Sequence, residues 1–303
     1  MSGGPERILA IDLDGTLLDS DGRIAEADRL AVARARRLGY EPVIATGRFP
    51  GGALSAAREI ECTLPLICAD GALLVESGSP PRLVRSAPLR RLADVVALCE
   101  RHALRPFLLN HEAWYCRPRD RLLAGYVSGW AEGASERRFD EASEIVLVLG
   151  VGCAIAARTA ARAAEPLERE HVVADAFPLS SWLWAARFRP SGASKGAALL
   201  ELASRFGLGR DAIAAVGNDY NDLSLFGVAG QSFAMGDAPL TVRHAASHRL
   251  QRTAREGGGI AEAVERLIAL DRAGSGSEGV SVGAEIVERE QRRVFAGEPE
   301  HRQ

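Results

Sequence analysis

Apolar positions along the chain follow two different rhythms, and their alternation predicts the elements. The run "RILAIDL" is short and continuously apolar before it ends in acidic residues and glycine, as a buried parallel strand does. Ala25 to Gly39 carries apolar residues at helical spacing and stops at a glycine, which predicts an amphipathic helix. "EPVIATG" reads as a second buried strand, "PGGALSAAREI" as a second helix and "LPLICAD" as a third strand. Strand and helix in turn predict a parallel sheet covered on both faces. "ESGSPPR" interrupts that pattern.

From about residue 84 to 187 the rhythm changes. A helix in "LRRLADVVALCERH" leads to two short strands, "RPFLLN" and "AWYC", separated by the turn-like "HE". A polar helical stretch follows, then the strand "EIVLVLG", the alanine-rich helix "CAIAARTAARAAEPL" and the strands "HVVADAF" and "SWLWAARF". Helices among paired strands predict a small α+β unit with an antiparallel sheet. All four tryptophans (Trp114, Trp130, Trp182, Trp184) fall here; Trp182 and Trp184, two apart on one expected strand, share a face that packs on helices.

The first pattern resumes with the helix "KGAALLELASRFGL", the buried strand "DAIAAVG", a helix start in "NDLSLFGVAG" and the strand "QSFAMG". Two further helices end near Asp271. The predicted fold is therefore α/β, a doubly wound, Rossmann-like parallel sheet in residues 1–83 and 188–271, with an α+β insertion at 84–187. Residues 272–303 open on the linker-like "AGSGSEG" and are expected to form a flexible tail, a docking helix in "AEIVEREQRRVFAG" being the lesser alternative.

Composition narrows the function classes. A net charge of −3 gives no reason to expect nucleic acid or a membrane surface as partner. Five cysteines without a CxxC pair read as buried thiols in a reducing compartment, and the N-terminal segment lacks a signal-peptide core, so the expected location is the cytoplasm. His244 and His248, four apart, lack the acidic companion a zinc site needs. One compositional fact is unusual: of 37 lysines and arginines, only Lys195 is lysine. A compact ammonium fits beside an oxyanion where a planar guanidinium does not, whereas chance survival on a solvated surface would carry no such meaning.

Four polar clusters fall at predicted strand ends or helix starts, the edge where open α/β sheets bind ligands. Asp12 and Asp14 in "IDLDGT" are two apart, and two neighbouring carboxylates stay ionised together most simply around a divalent cation. Thr46, Gly47 and Arg48 form "TGR", a hydroxyl and backbone N–H groups leading into a helix, which suits an anion. Lys195 opens a helix, and "GNDYND" carries Asn218, Asp219, Asn221 and Asp222.

In this order the clusters resemble the haloacid dehalogenase superfamily, in its Cof-type phosphatase branch with a cap inserted between the second and third motifs. The resemblance rests on "DLDGT", "TGR", "SGASKGAAL", "GNDYND" and "AMGDAP", and covers about residues 1–81 and 187–271. It implies that Asp12 is the nucleophile and Asp14 the general acid and base. It implies further that Thr46, Gly47 and Lys195 hold the phosphoryl group, and that Asp12, Asp14, Asn218 and Asp222 bind Mg²⁺. Arg48, Asp70, Asp219 and Asn221 are supporting residues. Two departures stand out. Asn218 occupies a position usually acidic in the family, and "DGA" replaces the common "NGA", placing Asp70 where it could pair with Arg48. The implied activity is hydrolysis of a small phosphorylated metabolite, with a sugar phosphate expected first. The alternatives are a phosphomutase and a phosphate-binding regulatory protein.

Overall fold

The computed structural model describes residues 4–78, 81–128, 131–169 and 171–274. Trp130 and, from residue 275, the expected tail lie outside the described residues.

The chain opens with β1 (Arg7–Ile11), α1 (Glu26–Arg37), β2 (Tyr40–Ile44), α2 (Pro50–Glu59), β3 (Leu66–Cys68), β4 (Leu73–Glu76) and β5 (Arg82–Ser86). There follow α3 (Leu92–Arg101), β6 (Arg105–Leu109), β7 (Ala113–Cys116), α4 (Ala124–Ser128), β8 (Ser135–Arg138), β9 (Leu147–Gly152), α5 (Ala154–Ala163), α6 (Glu165–Glu168), β10 (Val172–Pro178) and β11 (Trp184–Pro190). The last elements are α7 (Lys195–Ser204), β12 (Ile213–Gly217), α8 (Leu223–Val228), β13 (Gln231–Ala234), α9 (Leu240–Ala245), β14 (His248–Arg249) and α10 (Gly259–Gly274).

These elements form two compact units, one running to Val43 and resuming at Leu199, the other Ile44–Ala198. The first unit is built on a five-stranded sheet in the order β14-β13-β12-β1-β2, in which β1–β12, β12–β13 and β13–β14 are parallel. Ile8, Leu9, Ala10 and Ile11 are all buried, as are Ile213 to Val216, which is why these strands read as continuous apolar runs. The doubly wound α/β expectation is met.

Helix α1 packs against α10, and a charge fixes the contact. Asp28 is buried, and its two carboxylate oxygens accept the N–H groups of Gly258 and Ala261 at 2.9 Å each. A side chain of α1 thus caps the start of α10, satisfying N–H groups that a helix leaves open at its first turn. Asp28→Ala is expected to cost about 2 kcal/mol, because two part-buried N–H donors at the start of α10 lose their carboxylate acceptor. Urea unfolding of both proteins measures it; an unchanged midpoint would remove the cap from the account.

The second unit holds two antiparallel arrangements. β3, β4 and β5 form a three-stranded sheet, so "LPLICAD" is a strand but pairs antiparallel with β4 rather than joining the parallel sheet, apart from a single parallel bridge between Ala45 and Ile67. The hairpin partners β4 and β5 were hidden by the Gly- and Pro-rich "ESGSPPR" between them. The larger sheet has the order β10-β11-β9-β6-β7-β8, antiparallel except for β7–β8. One face carries a core of Leu108, Tyr115, Val148 and Phe188 under Val95 and Leu98 of α3 and Ala157 and Ala160 of α5. The edge strand β8, "SERR", is exposed throughout and has no apolar alternation to betray it.

The tryptophan expectation needs correction. Trp184 begins β11 and lies under the Arg158 guanidinium of α5, 4.3 Å from it. Trp182 lies in the preceding turn, 61% exposed, edge-on to Tyr126 at 5.7 Å. The turn Leu179–Leu183 closes the β10–β11 hairpin before Trp182 can enter the strand. Four cysteines are buried free thiols as expected, with the Cys99 thiol pushed up to about 12 by desolvation, but Cys153 is exposed. His248 is bonded to Gln231 and stacked on Phe233, which accounts for it without a metal.

Candidate active site

In the first unit the carboxylates gather where β1 and β12 end side by side. Asp12, 5% exposed, continues the ladder beyond β1 with its N–H on Val216 O at 3.0 Å. Asp14 is exposed and lies in a compact loop rather than on an extended strand: Leu18 N–H bonds back to Leu13 O and Gly15 N–H to Leu18 O. Strand alternation therefore does not orient Asp14; the loop does. Gly15 has φ +76°, and a Cβ there would fall 2.3 Å from the Asn218 side-chain nitrogen, so only glycine lets the two loops meet. Thr16 Oγ1 donates to Asn218 Oδ1 at 3.2 Å, binding "DLDGT" to "GNDYND".

Within "GNDYND" the acids serve the backbone first. Asp222 is fully buried, and its Oδ2 accepts the N–H groups of Asn218 (2.9 Å) and Asp219 (3.0 Å). Asp219, exposed, accepts the Tyr220 N–H at 2.7 Å and forms a reciprocal capping box with Asp222, each side chain accepting the other's backbone N–H. The Asn221 carbonyl accepts the Ser224 hydroxyl at the start of α8. The loop is thus wound so that Asn218 faces "DLDGT" while Asp222 stands behind it.

In the second unit a left-handed turn assembles the anion-type residues. Thr46 is buried, takes its N–H to Ile67 O, and its hydroxyl oxygen accepts the Arg48 N–H at 3.0 Å. Asp70 N–H bonds to Thr46 O and Ala69 N–H to Arg48 O, so the turn Ala69–Gly71 grips the "TGR" loop from the side. Arg48 Nη1 donates to Gly52 O in the first turn of α2 at 3.1 Å. Asp70 bonds to Arg187 Nη1 at 3.0 Å, a partner 117 residues away that the sequence did not suggest. Gly71 (φ +91°) abuts the other site segment: a Cβ there would fall 2.1 Å from Ser194 O and 2.9 Å from Lys195 N. Lys195 itself, at the start of α7, is 0% exposed. Surface survival is therefore wrong for this lysine, since a buried ammonium is retained only where charges or acceptors compensate it.

The donor chemistry fits Mg²⁺. Among the described residues no three His, Cys, Asp or Glu side chains converge as a ready metal cage. Mg²⁺ does not need one, being held by one or two carboxylates with water and substrate phosphate. Asp12, Asp14 and the amide oxygen of Asn218 supply such a set.

A profile of the haloacid dehalogenase-like hydrolases matches residues 9–264. The chain belongs to that family. It is 24% identical over 247 residues to the pyridoxal phosphate phosphatase YbhA of Escherichia coli, covering 78% of this chain and 90% of the relative. Among solved structures, a haloacid dehalogenase-like hydrolase from Bacteroides thetaiotaomicron superposes with a TM-score of 0.71 at 22% identity, covering 86% of this chain and 99% of that one. A subclass IIB sugar phosphatase does so at 0.68 and 20% identity, covering 86% and 98%. These likenesses establish the hydrolase fold, and among the described residues no helix is long and apolar enough to cross a membrane.

Proposed function

We propose that this hydrolase cleaves the phosphate monoester of a small metabolite, a sugar phosphate first, through an aspartyl-phosphate at Asp12 with Mg²⁺ bound. The observation that carries the reading is the chain's single lysine, fully buried and backed onto the turn that also grips Thr46–Arg48. A buried cation beside a hydroxyl and a backbone loop is what a phosphoryl group, with charge spread over its oxygens, requires.

The residues then divide the work. The Asp12 carboxylate attacks phosphorus, and the bond from phosphorus to the alcohol oxygen breaks. Asp14 gives its proton to that oxygen as the alcohol leaves, then as carboxylate takes a proton from the water that attacks the acyl phosphate, releasing phosphate and restoring Asp12. Thr46, Gly47 and Lys195 hold the non-bridging oxygens throughout. Asp12, Asn218 and, through its main-chain oxygen so that its carboxyl stays free to carry the proton, Asp14 are the metal donors; Asp222, offered as a fourth donor by the sequence, takes the Asn218 and Asp219 N–H groups on Oδ2 and so holds Asn218 in place. When bound, Mg²⁺ offsets the negative charge shared by nucleophile and phosphate.

Residues 84–187 we take as the inserted cap that chooses the substrate. Buried free thiols favour a reducing compartment, so we place the protein in the cytoplasm.

Mg²⁺-dependent release of p-nitrophenol from its phosphate ester tests the activity, and a screen of metabolite phosphates tests the class. Isomer formation without phosphate release would turn the reading to a mutase; no turnover with any ester would end it. The amide at 218 should also mark the metal site. Asn218→Asp adds a carboxylate and is expected to lower the Mg²⁺ concentration for half-maximal activity about fivefold, while Asn218→Ala raises it by a similar factor, on the order of 1 kcal/mol each way once desolvation is subtracted. If Asn218→Ala titrates like the wild type, Asn218 is not a donor.

A further inference from the structure

Asp70 stands at the crossing of every segment that forms the anion side of the site. Its turn runs through three successive left-handed residues, Ala69 (φ 49°), Asp70 (φ 52°) and Gly71 (φ 91°). Two of them are not glycine, and an L side chain is strained in that conformation, so surrounding contacts must hold the turn in place. The backbone contacts are those to Thr46, Arg48, Ser194 and Lys195. The side-chain contact is of a different kind.

The Asp70 carboxylate is buried, and its Oδ1 lies 3.2 Å from where a Cβ of Gly47 would stand. Its Oδ2 accepts from Arg187 Nη1, while Arg187 Nε and Nη2 fork onto Asp175 at 3.0 and 3.1 Å, with the Phe177 ring centroid 5.5 Å away. Arg187 is therefore oriented by β10 before it reaches Asp70. Arg189, two residues along the same face of β11, is half-buried; desolvation lowers its pKa, and the charges of Asp70 and Asp175 oppose that. The charges of two carboxylates and two guanidiniums act on one another there. β11 then ends at Pro190, five residues before Lys195.

We propose that Asp70 is a positioning residue: through Arg187 it ties the end of β11, and hence Lys195, to the turn that carries the Thr46–Arg48 loop. Lysine and loop are then held at a fixed separation that suits one phosphoryl group. Packing of the turn alone would need no charge at residue 70, and an amide of the same shape would serve. The ion pair makes the charge itself necessary, because a neutral residue leaves the arginine pair in excess inside a part-buried cluster. The inference rests on the anion-site reading of Lys195 given above.

Asp70→Asn, Arg187→Gln and the double variant test it, Arg187→Gln standing in should the first fail to fold. Two readouts are used: steady-state hydrolysis of p-nitrophenyl phosphate with inhibition by inorganic phosphate, and the rate of reductive methylation of Lys195, followed by mass spectrometry. Because the chain has one lysine, only that side chain and the amino terminus can react. Each single variant is expected to lower kcat/KM about tenfold or more, as misplacement of a phosphate-holding group does. Each should weaken phosphate inhibition in parallel and expose Lys195 to faster methylation, and the double variant should be no worse than either single. Unchanged kinetics and methylation in Asp70→Asn, or losses that add in the double variant, would overturn the proposal. Should the wild type hydrolyse no ester, the functional reading fails, and methylation alone still decides whether Asp70 positions Lys195.

Discussion

Asp12→Asn is expected to reduce turnover on the order of 10⁵-fold or more, the scale on which removing a covalent nucleophile acts. The amide has the size of the carboxylate, but its oxygen is too poor a nucleophile to open the ester. The fold should not register the change. The Asp12 N–H bond to Val216 O belongs to the backbone, and the pairing of Ile8–Ile11 with Ile213–Val216 involves no atom of the altered side chain. Phosphate release and a melting curve on the same preparation measure both claims. A folded variant that kept more than a few per cent of wild-type activity would show that Asp12 is not the nucleophile. Asp14→Asn differs in kind: with a good leaving group it should still form the phosphoenzyme but hydrolyse it slowly, so mass spectrometry should find phosphate on Asp12.

Gly71→Ala is expected to have the second-largest effect, from a position without functional atoms. Two penalties combine there. The φ of +91° lies where an L side chain is strained, and the new Cβ would overlap the Ser194 carbonyl, backbone that cannot swing aside as a side chain does. The only relief is to push Ser194–Lys195 away from the turn, displacing the buried ammonium. We expect a loss of about 2–4 kcal/mol in stability and at least a hundredfold in kcat/KM, since a shift of about 1 Å in a catalytic group has that effect. Gly22→Ala is the control: its φ of +74° is also left-handed, but nothing lies within 4 Å of the added carbon, so strain alone remains. Equal losses in the two variants would show that the contact with Ser194 does not matter.

Much of this was legible in order of residues because the causes are local. A parallel strand buried on both faces must be apolar throughout, so "RILAI" and "IAAV" announced themselves, and the polar clusters after them marked the functional edge. The chemistry we propose was suggested by residue types together with the family resemblance they carry: paired aspartates, a hydroxyl before glycine, one lysine among arginines. What periodicity could not carry was any contact between distant charges. Asp28 reads as an acidic residue early in α1, yet its acceptors serve α10, 230 residues on. The sequence pointed Asp70 only to Arg48 in the "TGR" loop, and the course of β11 is what brings Arg187 to it. β8 escaped notice because an exposed edge strand needs no apolar face, and Trp182 was misplaced because where a hairpin turns depends on its partner's register. Local sequence thus determined which backbone segments form and which chemical groups stand at their ends, since both depend on hydrogen bonds and burial within a few residues. Tertiary structure decided which charges neutralise one another and where Lys195 stands against the turn that grips Thr46–Arg48, because those energies exist only once distant segments are packed.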